Sequence, residues 1–176
     1  MTRYVALLRA INVGGHVVKM GRLRTLFEAL DLRDVETFIA SGNVIFRSDE
    51  KAAALEHRIA THLERALGYE VATFIRTAAE IMAIARFTPF PMLPAGASLY
   101  AGFLPRSLSA GERRTLTSLR SPVDDLRVRK REVYWLCRVR SSDAEFSPAR
   151  LEKTLRLPAT FRNMTTIRKL AARGTP

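Results

Sequence analysis

Along the chain the apolar positions change period often enough to mark out the secondary elements before any other property is considered. Residues 4–9 form a short apolar run with the look of a strand, and a loop of Ile11, Asn12, Val13, Gly14, Gly15 and His16 follows. From about Lys19 to Leu30 the apolar residues Met20, Leu23, Leu26, Phe27 and Leu30 recur at helical spacing and share one face. Residues 35–40 and 44–47 are rich in β-branched and aromatic side chains, the composition of strands, and Ser41-Gly42-Asn43 between them is a hairpin turn. A second helix is expected to open at Ser48-Asp49-Glu50, where a capping side chain and acidic residues suit the helix dipole. It runs to Leu67 with Leu55, Ile59, Leu63 and Leu67 on one face, and Gly68 ends it. Residues 71–76 make a fourth strand, so the first part of the chain reads β-α-β-β-α-β, the ferredoxin-like order.

Thr77-Ala78-Ala79-Glu80 is a capping box opening a short helix through Ala85. Residues 88–97 hold three prolines and a glycine, which no helix or sheet interior tolerates, and they mark a boundary. The pattern then restarts, with a strand over 98–104, a helix opened by Ser109 and Glu112, and strands over 126–130 and 132–138. Ser147-Pro148 starts another helix, with proline at its first position, continuing through Leu151 and Leu155. Thr160-Phe161-Arg162 reads as a short edge strand, and Met164, Ile167, Leu170 and Ala171 form one face of a last helix. The expected class is therefore α+β: two βαββαβ-like, ferredoxin-like units in tandem, their antiparallel sheets covered by helices on one face. Residues 1–87 would form the first unit with its appended helix, 88–97 a proline-rich linker and 98–176 a second, basic unit. The second echoes the first in shape, although no internal sequence repeat is visible.

Composition narrows the class. A chain of 176 residues that is 47% hydrophobic can bury a real core, so disorder is excluded. The single Cys137 rules out an intramolecular disulfide framework and a thiolate metal cluster, which suits a reducing compartment. The apolar run near Met1 is too short for a signal peptide, and no stretch approaches the twenty apolar residues of a membrane span. The expectation is a cytoplasmic protein with no membrane partner.

Charge then divides the halves. The net charge is +12, yet residues 1–88 hold 12 Lys+Arg against 10 Asp+Glu, whereas residues 89–176 hold 17 against 7. A basic surface attracts phosphate-bearing partners, either small molecules or nucleic acid. Arginine outnumbers lysine 24 to 5, a skew that genome base composition also produces.

The familiar catalytic signatures are absent: there is no His-Glu-x-x-His, Gly-x-Ser-x-Gly, P-loop or Gly-x-Gly-x-x-Gly. His57 and His62, five apart on a helix, point in different directions and do not make a metal site, and Cys137 alternates with Val133, Trp135 and Val139 as a core residue. No metal or cofactor is expected. What the topology does supply is a convergence. In a ferredoxin-like unit the end of the first strand and the turn between strands two and three share an edge, which brings Arg9, Asn12, Gly14 and Gly15 beside Ser41, Gly42 and Asn43. A guanidinium, two amides, a hydroxyl and free backbone N–H groups would meet at the start of the first helix, a place suited to anions. Lys19 and Arg22 occupy that helix's first turn, with Arg24 close behind, and each opposes the helix dipole by about 0.3–1 kcal/mol. A bound anion would relieve this. The same residues would also serve a plain tight turn, with Asn12 and Ser41 making turn hydrogen bonds and the cations reaching water.

These residues also carry a resemblance. Leu8-Arg9-Ala10-Ile11-Asn12-Val13-Gly14-Gly15, Lys19-Met20 with Leu23, and Ser41-Gly42-Asn43-Val44 with Phe46 look like the hallmark of the bacterial family known as domain of unknown function 1697. The likeness extends to Phe74-Ile75-Arg76-Thr77 and to Thr160-Phe161-Arg162-Asn163 before the last helix. It implies a two-part α+β fold whose first part is ferredoxin-like, and it implies no activity. His16 stands where family members usually carry a basic or polar residue, and Phe161 where they carry a polar neighbour of Arg162.

The second unit offers another candidate. Arg127, Arg129 and Arg131 alternate with Leu126 and Val128 so as to share one strand face, and Arg138 and Arg140 extend the partner strand. Tyr134 and Tyr100 would face this cationic hairpin, an arrangement by which open sheets bind single-stranded nucleic acid, although the RNA-recognition consensus is missing. A solvated sheet face explains the same pattern. Three classes of function follow: a binding module for phosphate-bearing ligands or nucleic acid; an enzyme in which Arg9, Lys19 and Asn43 stabilise charge and His16 is the nearest base; and an interaction protein that docks an acidic partner.

Overall fold

The computed structural model describes residues 1–174, which form two compact units, one made of Met1–Ala83 with residues 169–174 and the other of Ile84–Arg168. In the first, β1 (Thr2–Leu8), α1 (Met20–Glu28), β2 (Arg33–Phe38), β3 (Asn43–Ser48), α2 (Ala52–Leu67) and β4 (Thr73–Thr77) follow in the expected order. The sheet is antiparallel with strand order β2-β3-β1-β4, the ferredoxin-like arrangement. Alternation along β1 sends Tyr4, Ala6 and Leu8 to one face, where they pack with Val44 and Phe46 of β3 against Leu23 and Phe27 of α1 and Leu55, Ile59 and Leu63 of α2. Burying each of the Leu, Ile, Val and Phe side chains among them contributes about 1.5–3 kcal/mol. Val5, Leu7 and Ile45, on the opposite face, are fully buried as well.

Local signals set most element ends. Gly68 closes α2 in the left-handed conformation, φ 81°, donating to the Glu64 carbonyl. Thr77 and Glu80 form the expected capping box of α3 (Ala78–Arg86), each accepting from the other's backbone N–H. The start of α2 differs from expectation. Its N-cap is Lys51, which makes no side-chain cap, because strand pairing carries β3 on to Ser48 opposite Thr2. The Ser48 hydroxyl therefore closes the following turn by accepting from the Glu50 N–H.

The second unit repeats the plan with β5 (Ser98–Phe103), α4 (Ala110–Thr117), β6 (Asp124–Arg129), β7 (Glu132–Cys137), a short 3-10 turn (Ser141–Asp143), α5 (Pro148–Leu155) and β8 (Thr160–Asn163), followed by α6 (Met164–Gly174), whose residues from 169 on belong to the first unit. Its order, β6-β7-β5-β8, is that of the first sheet, and the expected edge strand at 160–163 pairs with β5. Ser109 and Glu112 cap α4 reciprocally, and Ser147 caps α5 ahead of Pro148. Val133, Trp135 and Cys137 line the core with Phe146, Leu151 and Leu155, so Cys137 is the packed residue its strand position predicts.

Register exposes a duplication that the linear sequence hides. Tyr4 lies opposite Phe46 and stacks on it at 5.8 Å; Tyr100 lies opposite Trp135 and stacks at 4.7 Å. The Leu8 N–H donates to the Gly42 carbonyl at 2.8 Å, and the Leu104 N–H to the Arg131 carbonyl at 2.9 Å. Arg76 and Arg162 occupy matching places on β4 and β8, opposite Val5 and Ala101. The repeated features are single residues separated by loops of different length, so no repeat shows in one dimension.

Candidate functional site

The two distant loops do meet. Arg9 leaves β1 with its N–H donating to the Ala72 carbonyl. Asn12 then donates from Nδ2 to the Val18 carbonyl at 3.2 Å and the Ala40 carbonyl at 2.8 Å, while its Oδ1 accepts from the Val18 N–H at 2.6 Å. One amide thus closes its own loop and ties it to the β2–β3 turn. Gly42 packs so tightly there that a Cβ would lie 2.9 Å from Ile11 Cβ and 3.2 Å from Leu8 Cβ. Asn43 is fully buried, and its Nδ2 donates to the Phe38 carbonyl and to the Ser41 hydroxyl. Both amides expected to face a ligand therefore make bonds within the fold. The segment carries strain, since Ala10, Asn12 and the β-branched Ile39 all have φ between 52° and 65°.

What this edge leaves to solvent is backbone, charge and apolar surface. Gly14 and Gly15 have positive φ and open space around them, and Lys19 and Ser41 are exposed. Val13, Val17 and Ile39 are 63%, 81% and 49% exposed. Lys19 is the N-cap of α1, with no side-chain cap and no acidic residue in the first turn. The other cations of that helix are satisfied by the protein: Arg22 donates to the Ala66 carbonyl at the end of α2, and Arg24 pairs with Glu28 one turn on. His16, the nearest base, stacks on Tyr69 at 3.7 Å. Burial pushes the Tyr69 phenol above its usual range, partly offset by the Arg22 guanidinium.

The basic residues of the second unit are arranged differently from expectation. β6 is an edge strand, with Arg127 opposite Tyr134 and Arg129 opposite Glu132. Lys130 and Arg131 form the two-residue turn to β7, Lys130 with φ 54°, so Arg131 leaves the strand face that it was expected to share. Arg138 follows β7 and is exposed, its N–H donating to the Val123 carbonyl. Neither tyrosine is a platform: Tyr134 is buried against Phe87, and Tyr100 lies on the helix-covered face against Trp135. The aromatic partners are Phe87 and Phe90. Arg129 lies over the Phe87 ring at 4.3 Å and Arg127 over the Phe90 ring at 5.6 Å. Phe87 directly follows α3, and Phe90 comes from the irregular, proline-rich segment read from the sequence as a linker.

Several acidic residues of this unit are engaged elsewhere. Glu112 takes both ends of the Arg106 guanidinium, and that bond, with the Ser109 N–H, holds its carboxyl down to about 2. Asp125 pairs with Arg120 and Asp143 with Arg140. Asp124 is buried and accepts from Trp135 Nε1, the Glu145 and Phe146 N–H groups and the Ser121 hydroxyl. Among the described residues, no carboxylate lies within ion-pair distance of Arg127, Arg129 or Arg138. Arg162 is consumed internally, donating to the Thr160 hydroxyl and the Phe161 carbonyl, and burial pushes its guanidinium down to about 10.

His57 and His62 line one open cleft of about 410 Å³ with Arg58 and Arg65. Among the described residues no group of three or more His, Cys, Asp or Glu side chains is placed to hold a metal ion. No helix among them is long and apolar enough to cross a membrane.

The chain belongs to the family described as Protein of unknown function (DUF1697), whose model matches residues 1–134. The resemblance carried by the glycine loop and the Ser41-Gly42-Asn43 turn is thereby borne out. No curated protein matches the chain. Among solved structures it is similar to the conserved bacterial protein SP0830 from Streptococcus pneumoniae, at 26% identity and a TM-score of 0.74, with 99% of each chain covered. This likeness extends the two-unit fold over the whole chain and names no activity.

Proposed function

We propose that the protein is a binding module for single-stranded nucleic acid, which it holds by the phosphate backbone along the exposed edge of β6. The stacking of Arg127 on Phe90 and of Arg129 on Phe87 carries this reading. A guanidinium laid on a ring has already lost much of its rotamer freedom, and its in-plane N–H donors stay free for phosphate oxygens. Residues two apart on a strand lie about 6–7 Å from each other on the same face, so the two guanidinium groups can engage a phosphate backbone side by side. With no carboxylate among the described residues in ion-pair distance of Arg127 or Arg129, cations predominate along this edge.

Fluorescence anisotropy with a labelled single-stranded oligonucleotide tests it. Affinity should fall steeply with salt, with a log–log slope of about −0.7 for each phosphate neutralised. Arg127→Glu with Arg129→Glu should abolish binding, and Phe87→Leu with Phe90→Leu should weaken it while leaving the charge unchanged. Arginines on an edge strand also block unwanted strand pairing; if that is their whole role, the wild type binds no oligonucleotide and the proposal fails.

A second reading places a small phosphate-bearing ligand at the loop edge, where α1 starts without a side-chain cap beside Gly14 and Gly15. Arg9, Lys19 and the exposed backbone would hold it, with Asn12, Ser41, Gly42 and Asn43 shaping the loops. Thermal stabilisation by nucleotides or sugar phosphates that is lost on Lys19→Ala would favour this reading over the first.

A further inference from the structure

At the opposite end of the first sheet, three arginines lie in register across three neighbouring strands. Arg3 of β1 faces Arg47 of β3, and Arg47 faces Arg33 of β2. Like charges placed directly opposite each other destabilise a sheet, so this row needs a compensating partner. The protein supplies little. Asp34 lies 3.1 Å from Arg47 Nε but is largely exposed, and it stands off the hydrogen-bond line, so that Nε has no acceptor. Arg3 Nε is likewise buried without an acceptor among the described residues, and no carboxylate there pairs with Arg3.

Both guanidinium groups line a pocket of about 290 Å³, closed by Thr77, Ala78 and Ala79 at the start of α3 and by Gly174 at the end of α6. Among the described residues no carboxylate lines it. The nearest in sequence, Glu80, is turned onto the Thr77 N–H and hydroxyl in the capping box. The pocket therefore presents Arg3, with no carboxylate in ion-pair distance among the described residues, directly opposite Arg47, whose ion pair is with the exposed Asp34, together with the positive end of a helix. Its volume is at the lower limit of small-molecule sites.

We infer that this pocket binds the phosphate group of a small phosphate monoester, with Arg3 and Arg47 as its two cationic clamps. A tetrahedral dianion offers oxygens to both guanidinium groups at once and removes the repulsion between them. This site is independent of the arginine edge on β6.

Isothermal titration with glycerol 3-phosphate, with inorganic phosphate and with glycerol, at constant ionic strength, tests the inference. The measurement uses the Arg127→Glu, Arg129→Glu variant, so that the second unit's basic edge contributes nothing. Both phosphates should bind and glycerol should not. Arg3→Met and Arg47→Met, which keep the aliphatic stem, should each weaken phosphate binding by about tenfold to a hundredfold. Neither should lower the melting temperature in phosphate-free buffer, because each removes one of two opposed charges. Arg3→Lys keeps the charge without the planar fork and should bind with intermediate affinity, which provides a readout should a Met variant fail to fold. Absence of phosphate binding, or binding unchanged in the Arg3 and Arg47 variants, overturns it. Tighter binding of glycerol 3-phosphate than of inorganic phosphate marks an ester site; binding of inorganic phosphate without binding of glycerol 3-phosphate excludes the ester and overturns the inference.

Discussion

The two units share a strand order and a register, yet they are reinforced at opposite ends of their sheets. In the first, the reinforcement lies where β1 finishes: Asn12 ties its loop to Ala40, Asn43 holds the β2–β3 turn, and Gly42 lets the two loops touch. In the second, the same end carries the two-residue turn of Lys130 and Arg131, whose Arg131 carbonyl accepts from the Leu104 N–H. Its polar hub is Asp124, at the other end of β6, which gathers the Trp135 indole and the backbone of Glu145 and Phe146. One framework thus supports a long glycine loop held by neutral amides in one copy and a short cationic turn in the other. Sheet order fixes where loops meet, while the loops decide what kind of surface results.

The strongest test of this contrast is Asp124→Ala, which orphans several buried donors and should cost about 3–5 kcal/mol of stability in urea unfolding. A cost below 1 kcal/mol would mean that the hub is not what holds this end of the second sheet. Next comes Gly42→Ala, where a left-handed backbone and contact with Ile11 combine to about 3 kcal/mol. Gly14→Ala, with equal freedom of φ but open space, should lose only about 1 kcal/mol. Equal losses would show that the loops do not touch as described. Asn12→Ala removes the tie between the loops and should cost about 1–2 kcal/mol, with faster amide exchange at Val18.

The smallest effect concerns the exposed pair at the start of α4. Glu112 titrates near 2 in the folded protein, below its usual 4.5. Its contribution is thus fully present above about pH 4.5 and is lost as pH falls through about 2. Glu112→Gln should flatten the pH dependence of unfolding across that window and leave it unchanged near neutrality. An identical acid limb in the variant and the wild type would remove Arg106 and Ser109 as the cause.

Much of the fold was legible because its signals are local. The capping boxes at Thr77 and Ser109, the proline at the start of α5 and the glycine that ends α2 each act within one helical turn. The start of α2 was misread for a non-local reason, since pairing with Thr2 keeps Ser48 in the strand. The meeting of the two loops was legible too, as it follows from strand order alone. Illegible was what the loop residues do on meeting, for Asn12 reaches a carbonyl 28 positions away. Likewise Phe87 and Phe90 gave no sign of their arginine partners, because irregular segments have no period from which to read a facing residue.

By itself, then, the sequence determined the order and type of the elements, the ferredoxin-like plan of each unit and the excess of positive charge in the second half. These rest on periodicity, capping and composition, which are properties of neighbouring residues. Only the tertiary structure decided which polar groups remain available. It turned Asn12 and Asn43 inward, set Arg127 and Arg129 on aromatic rings, and brought Arg3 and Arg47 face to face across β1 and β3. The physical reason is that a hydrogen bond or an ion pair is fixed within a few tenths of an ångström by chain segments distant in sequence, and no local pattern encodes that distance.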